Sequence, residues 1–476
     1  MNFNENDIRT EAGFDEHFHD ECGVVGVYAP GKEDIARSVY FGLHALQHRG
    51  QESAGIAANK AGKIQYYKEM GLVQEVFNDE IIERLQGDIA IGHVRYSTAG
   101  ESHAVNAMPL VVYSKGGSIA LAHNGNLVNA NILRDELQDS GFFFQTTIDS
   151  EVIAALIARH IRENSLEDSI IKTLKIVKGA YALVITSGEK LIGVRDPNGI
   201  RPLCIGKTSD GFILSSESCI FSLLGARLIR DVEPGEMVVI EGGELKSVKY
   251  DKTAKKAGCA FEFVYFSRPD SDIDGRNVYL ARKECGKTLA KECPVEADMV
   301  ISVPDSGTVA AIGYAEASGI PYGDGLIKNR YVGRTFIQPD QRMRELSVRL
   351  KLSVLSENVK GKRIVMIDDS VVRGTTSGKI VKLLKDAGAK EVHLRVASPP
   401  VTDPCFFGID TPDKKKLIAA DHSVEEICKM TGADSLGYLS VQGLLDAVRL
   451  GDNNVCVACF NGEYPMELPE LGRKFE

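Results

Sequence analysis

The stretch Arg363-Ile364-Val365-Met366-Ile367-Asp368-Asp369-Ser370-Val371-Val372-Arg373-Gly374-Thr375-Thr376 decides how the second half of the chain folds. Its apolar run is continuous rather than alternating, as a strand buried on both faces requires. The run stops at two acids, and a Gly/Thr turn then opens a helical pattern over residues 377–387. The same rhythm appears before it, with an apolar run at 299–303 and a helical pattern at 308–318, and after it with another run at 392–397. Strands that alternate with helices predict a doubly wound parallel sheet. Ligands of such sheets gather at the carboxyl ends of the strands, where Asp368 and Asp369 stand.

Adjacent carboxylates at a strand end can hold ribose hydroxyls and a hydrated Mg²⁺. The N–H groups and hydroxyls of residues 370–376, at a helix N-terminus, can cradle a monophosphate. The plainer alternative is an acidic turn before a capped helix. Strand, acid pair and Gly-Thr-Thr in this order resemble the phosphoribosyl diphosphate (PRPP) motif of type I phosphoribosyltransferases. That resemblance implies a PRPP site at Asp368, Asp369, Ser370, Arg373, Gly374, Thr375 and Thr376. A second turn, Val303-Pro304-Asp305-Ser306-Gly307-Thr308, has residues small enough for a pyrophosphate to approach the backbone, or serves only as an N-cap. With it, Ser306 joins Asp368 and Asp369 as a candidate Mg²⁺ site. Between the two turns lies Lys328-Asn329-Arg330-Tyr331-Val332-Gly333-Arg334-Thr335-Phe336, basic and Gly-bearing. Alone it reads as a solvated loop. Flanked by two phosphate motifs it is expected to be a lid that closes over pyrophosphate, with Lys328 as a ligand.

The 476 residues exceed one compact core, so two large units are expected. Lys+Arg 56 against Asp+Glu 66 gives a net charge of -10, which argues against a broad nucleic-acid or anionic-membrane surface. No apolar stretch approaches the ~18 residues a bilayer requires, and residues 1–21 lack both a cationic start and an apolar core. Ten cysteines are too sparse for a disulfide scaffold, and the single ones at 204, 219, 285, 293 and 428 sit within apolar patterns. Reduced thiols and a cytoplasmic protein are expected.

From Cys22 to about Lys249 the sequence is dominated by short β-like runs at 23–28, 89–94, 118–123, 180–186, 190–195, 211–215 and 237–241. Two helical patterns, 39–47 and 150–162, accompany them, which predicts sheets faced by helices. The lysine-bearing stretch 250–258 reads as an inter-domain connection or a charged turn. The expected division is 1–21, 22–250 and 251–476.

Asp20-Glu21-Cys22-Gly23-Val24-Val25-Gly26-Val27-Tyr28 puts a cysteine at the head of a strand, which by itself means core. It is followed by Leu43-His44-Ala45-Leu46-Gln47-His48-Arg49-Gly50-Gln51-Glu52-Ser53-Ala54-Gly55, then Gly92-His93-Val94-Arg95-Tyr96-Ser97-Thr98. Ala122-His123-Asn124-Gly125-Asn126-Leu127 and Asp149-Ser150-Glu151 complete the series. Together these resemble the class II glutamine amidotransferase domain, an N-terminal-nucleophile αββα sandwich. The resemblance implies that cleavage before Cys22 removes residues 1–21 and frees an α-amine as base for the thiol. That amine, with a pKa near ~8, is within reach of neutral pH, and an amide nitrogen is not. The resemblance further assigns Asn124 and the Gly125 N–H to the oxyanion hole, Arg95 to the glutamine carboxylate and Asp149 to its ammonium. The plainer readings of the last two are a surface arginine and the N-cap of helix 150–162. His44, His48, His93 and His123 read as scaffold.

Val455-Cys456-Val457-Ala458-Cys459 is the one Cys-x-x-Cys in the chain. Spacing leaves open a zinc half-site, a redox dithiol or chance. The contexts of Cys259 and Cys405 resemble, with this pair, the iron–sulfur branch of the amidophosphoribosyltransferases. That implies a structural [4Fe–4S] cluster on Cys259, Cys405, Cys456 and Cys459. The resemblance to that family runs from Cys22 to near the C-terminus. It implies a glutamine-dependent transferase making 5-phosphoribosylamine from PRPP at the first step of de novo purine synthesis. It also implies Mg²⁺, feedback by purine nucleotides and a homo-oligomer. The alternatives are another class II amidotransferase such as glucosamine-6-phosphate synthase, against which the 368–376 motif speaks, and a non-catalytic PRPP or nucleotide sensor, against which Cys22, Arg95 and Asn124 speak.

Overall fold

A computed structural model describes residues 22–32, 34–96, 102–114, 116–329, 352–411, 413–450 and 454–468. The expected leader, 1–21, and most of the expected lid, 330–336, lie outside the described residues.

The first half supplies β1 (Gly23–Tyr28), β2 (Ser53–Lys60), β3 (Lys63–Met70), β4 (Ile89–Arg95), β5 (Leu110–Ser114), β6 (Gly117–Leu127) and β7 (Gly179–Ser187). It continues with β8 (Lys190–Arg195), β9 (Cys204–Lys207), β10 (Phe212–Ser215), β11 (Arg227–Asp231), β12 (Glu236–Glu241) and β13 (Glu244–Lys249). They form a seven-stranded sheet, β11-β9-β10-β1-β4-β2-β3, and a six-stranded sheet, β13-β12-β8-β7-β6-β5. Strict alternation stacks them. Ala120 and Ala122 of β6 face the other sheet with Val24, Ile91 and Val184, whereas Ile119 and Leu121 face outward onto helices. Small residues on the inner face let the sheets approach closely: a Cβ on Gly26 would lie 2.6 Å from Val184. Helix Ile35–Ala45 covers the first sheet through Ile35, Val39 and Leu43, and helices Ser150–His160 and Leu166–Leu174 cover the second. The result is the expected four-layer αββα sandwich.

In the second half, strands Met299–Ser302, Arg363–Asp368, Glu391–Val396 and Ser435–Tyr438 lie side by side in that order, all parallel. Val365 and Ile367 point into one core, with helices Val278–Glu292 and Thr308–Ser318. Ile364 and Met366 point into another, with helix Thr375–Asp386. Both faces of the strand are therefore buried, as its continuous apolar run requires. The doubly wound sheet is thus the fold of this half. The two helices on the first face cross in close contact because Gly286 and Gly313 sit at the crossing. A Cβ on either would fall within about 2 Å of the facing carbonyl oxygen, 1.9 Å from Ala310 and 2.0 Å from Lys283.

Residues 250–298 join the two architectures and open with the short strand Gly258–Cys259, which pairs in parallel with Val455–Cys456. Among the described residues no helix is long and apolar enough to cross a membrane.

Candidate active site

Cys22 immediately precedes β1, the central strand of its sheet, and is 7% exposed. Its thiol donates to the Tyr96 carbonyl at 3.6 Å. The β1–β4 register, Gly23 opposite Val94, brings Arg95 alongside it. Burial pushes the Cys22 thiol up to about 11, opposed by the Tyr96 contact and the Arg95 charge and reinforced by Glu52 and Asp149. Arg95 and Asp149 are therefore both within electrostatic reach of the nucleophile.

Arg95 is 2% exposed, so it is no surface arginine. Asp149 does occupy the N-cap position of helix Ser150–His160, yet its side chain makes no capping bond. Its carboxylate instead accepts from the Leu127 N–H at 2.8 Å and lies 3.6 Å from His123 Nδ1, turned toward the end of β6.

Asn124 and Gly125 lie within β6 of the facing sheet. Gly125 has φ +138, and a Cβ there would fall 2.0 Å from the Ala180 carbonyl oxygen, so only glycine lets β6 and β7 pair at this point. The Asn124 amide nitrogen is buried without a hydrogen-bond partner among the described residues. An unsatisfied buried donor costs about 1–3 kcal/mol, a cost expected where a ligand will accept it. His93 Nε2 meets the His123 carbonyl at 2.9 Å and ties β4 to β6 between Arg95 and Asn124. Burial holds both His93, to about 3, and His123 below the ordinary imidazole range, so they tie the sheets as neutral scaffold.

Sequence reasoning passed over the residues beneath the nucleophile. Arg49, 1% exposed, donates from Nε to the Cys22 carbonyl at 3.1 Å and binds Glu217 at 2.7 Å and Glu262 at 2.7 and 2.9 Å. His48 also meets Glu217, at 2.7 Å. The motif containing Arg49 was visible, but the two carboxylates lie 168 and 213 residues away and carry no local signal.

At the parallel sheet, Asp368 and Asp369 end the strand Arg363–Asp368 and are 1% and 2% exposed. Asp368 accepts from the Asp369 N–H at 3.0 Å and from Ser377 at 3.3 Å, and Asp369 accepts from Ser370 at 2.6 Å. Ser306, from the other turn, also donates to Asp369, so the two turns meet as expected. Gly307 makes that approach possible, since a Cβ there would be 2.6 Å from the Ile367 carbonyl oxygen. Gly374 takes φ +77 as N-cap of helix Thr375–Asp386, whose first turn has no acidic residue. Arg373, Thr375 and Thr376 therefore surround an amide terminus suited to an anion. Lys328, on the exposed rim, pairs with Asp305 of the second turn at 2.9 Å.

Cys259, Cys405, Cys456 and Cys459 all line one cavity, with Arg201, Phe407, Ile409 and Tyr464. Cys259 is in register with Cys456, and the Phe407 N–H donates to Cys405 Sγ at 3.3 Å. Burial, reinforced by the neighbouring thiols, pushes Cys456 up to about 12 and raises Cys259 and Cys459 well above the ordinary thiol range. Four thiols around one cavity are a soft donor set, and in that sense they fit an iron–sulfur cluster. Among the described residues no three His, Cys, Asp or Glu side chains are close enough together to hold a single metal ion.

A thiol nucleophile with an unspent amide donor in one half and a strand-end acid pair beside a phosphate turn in the other define a glutamine amidotransferase joined to a phosphoribosyltransferase. The glutamine amidotransferase domain model matches residues 93–222, and the phosphoribosyl transferase domain model matches 282–399. The amidophosphoribosyltransferase of Archaeoglobus fulgidus is 54% identical over 94% of this chain and 98% of its own. That of Bacillus subtilis is 52% identical over 94% and 95%. A structure of glutamine PRPP amidotransferase from B. subtilis, complexed with ADP and GMP, superimposes with a TM-score of 0.89 at 51% identity, covering 94% of this chain and 98% of the other. The chain belongs to the amidophosphoribosyltransferase family.

Proposed function

We propose that the chain transfers the amide nitrogen of glutamine to C1 of PRPP, releasing glutamate and diphosphate and forming 5-phosphoribosylamine, at the first step of de novo purine synthesis. The observation that carries this reading is that one chain holds both a buried thiol, with an amide donor on the opposite sheet that has no partner among the described residues, and a strand-end acid pair before a glycine turn.

Cleavage before Cys22 frees its α-amine. A thiol pushed up to about 11 is protonated at neutral pH, so its attack on the glutamine amide requires a local base, and that amine is one. Arg95 grips the α-carboxylate and Asp149 the α-ammonium. The Asn124 amide and the Gly125 N–H hold the oxygen of the tetrahedral intermediate. The amine returns its proton to the departing nitrogen, leaving ammonia and a γ-glutamyl thioester, which water cleaves to glutamate.

In the second half, the turn 370–376 holds the 5-phosphate of PRPP, Asp368 and Asp369 its ribose hydroxyls, and Lys328 the pyrophosphate. Ser306, Asp368 and Asp369 would hold Mg²⁺, which neutralises charge on the leaving diphosphate. Ammonia displaces it at C1 with inversion. Free ammonia is largely protonated in water, so it must pass from one centre to the other along a path that excludes water.

Cys259, Cys405, Cys456 and Cys459 would hold a [4Fe–4S] cluster, which ties the end of the chain to the start of its second half. The reading is supported by their placement around one cavity and by the N–H···S bond on Cys405. Purine nucleotides would compete through their 5′-phosphate at 370–376, in line with the ADP and GMP of the B. subtilis structure. A cytoplasmic homo-oligomer completes the reading.

The test is glutamate and diphosphate release from anaerobically purified protein given glutamine and Mg²⁺, with and without PRPP. Equal, PRPP-dependent release is expected. Glutamate alone would mean a glutaminase with another acceptor.

A further inference from the structure

Glu262 comes from the segment that precedes the second sheet, three residues after Cys259, and opens a short π-helix, Glu262–Phe266. It is 1% exposed and distant in sequence from every residue assigned above to glutamine chemistry. Its carboxylate nevertheless accepts both terminal nitrogens of Arg49, at 2.7 and 2.9 Å. Ser267 donates to it as well, and Arg201 stands 3.8 Å away. A two-pronged pair fixes the plane of a guanidinium, not merely its position. Once that plane is fixed, the third nitrogen of Arg49 has one direction, and it points at the Cys22 carbonyl oxygen, 3.1 Å away. The next residue, Gly50, is packed against the backbone of Arg95, since a Cβ there would lie 2.6 Å from the Arg95 nitrogen. One buried turn thus supports the main chain of both the nucleophile and the residue beside it, and its orientation is set by Glu262 from outside the sandwich together with Glu217.

We infer that Glu262 is a positioning residue for the glutamine half-reaction, fixing Arg49 so that the Cys22 main chain, and with it the α-nitrogen and thiol, are held in line. The inference rests on the amidotransferase reading above. Glutamine chemistry then requires the segment after residue 258 to be docked on the sandwich. Affinity for glutamine is assigned above to Arg95 and Asp149, so loss of Glu262 affects orientation of the attack more than affinity.

The experiment compares full-length wild type with E262Q, measuring kcat and KM for glutamine in the presence of PRPP, and diphosphate release when an ammonium salt replaces glutamine. A misalignment of about 1 Å at a nucleophile costs on the order of 10²-fold. The expected result for E262Q is therefore a fall in kcat with glutamine of roughly 10- to 100-fold, with KM changed less than about threefold and ammonia-driven release changed less than about threefold. Loss of a partner from a buried pair can unfold a protein. E262D keeps the charge and withdraws it by one methylene, and should show the same split on a smaller scale if E262Q does not fold. Glutamine- and ammonia-driven rates that fall in parallel, or an unchanged kcat with glutamine, would overturn the inference. A wild type that releases diphosphate with neither donor would instead overturn the amidotransferase reading, and this inference with it.

Discussion

The two proposed reaction centres are built in opposite ways. The phosphoribosyl centre is nearly continuous in sequence, with strand, acid pair, turn and helix following one another from Arg363 to Thr376 and one further turn, at Ser306, brought in by the adjacent parallel strand. The glutamine centre is assembled from Cys22 and Arg95 on one sheet, Asn124 and Gly125 on the facing sheet and Asp149 at a helix start, all resting on an arginine held from outside the sandwich. A strand–turn–helix site is specified by local conformation, because backbone N–H groups and consecutive side chains share one turn. A site between two sheets depends on how closely they stack. Perturbing the first centre should therefore stop every acceptor reaction, whereas perturbing the second should spare reactions that bypass glutamine.

The largest effect expected is from Cys22→Ala. Glutamine-driven diphosphate release should fall by on the order of 10⁴-fold or more, while release driven by an ammonium salt continues. If both stop together, the two centres are not separable and the comparison fails. Asp368→Asn combined with Asp369→Asn should lower both reactions, by about 10³-fold, as loss of groups that neutralise the diphosphate predicts. Sparing of the ammonia-driven reaction would remove the acid pair from PRPP binding. Gly125→Ala places a Cβ 2.0 Å from the Ala180 oxygen at φ +138, so β6 and β7 must part. Glutamine-driven turnover should drop about 10²-fold, with ammonia-driven turnover retained, and equal losses would indicate general unfolding rather than a damaged oxyanion hole.

A pH profile sharpens the role of the α-amine. Because burial raises the Cys22 thiol to about 11, the thiolate fraction at neutral pH is small, and it grows only as pH rises toward that value. A chain blocked from cleavage before Cys22 should be alkylated by iodoacetamide at a rate that climbs steadily up to about pH 11. In the processed chain the rate should rise near the amine pKa of ~8. Identical profiles would show that the amine does not serve the thiol. The smallest effect on chemistry is expected from Cys459→Ser. Iron and acid-labile sulfide should be lost and melting should occur several degrees lower, with both half-reactions reduced together through stability. Unchanged iron content would exclude Cys459 as a ligand.

Much of this architecture is legible in the residues alone. Gly23–Tyr28, Lys190–Arg195 and Thr308–Ser318 have the bounds that their apolar patterns indicate. The pattern fails where function or exposure dilutes it. Hydropathy ends β6 at His123, but the strand continues to Leu127, because Asn124 and Asn126, though polar, are held in the sheet by pairing with β7. β2 is missed since Ala and Gly carry little strand propensity, and it exists because it lies between β3 and β4. The edge strand β3 is mostly exposed, and Ser435–Tyr438 is too short to signal itself.

The sequence by itself determined the candidates for each proposed centre: one thiol, one acid pair, one glycine turn and four cysteines. Those depend on residue type and on neighbours within a few positions, information a linear chain carries directly. Only the tertiary structure decided that Arg95 is buried beside the thiol, that Asp149 turns to β6 instead of capping its helix, and that the Asn124 amide has no partner among the described residues. It also decided that Glu262 sets the plane of Arg49. Each of these is a matter of desolvation and of hydrogen-bond direction between segments far apart in the chain, and neither quantity exists until the sheets have stacked.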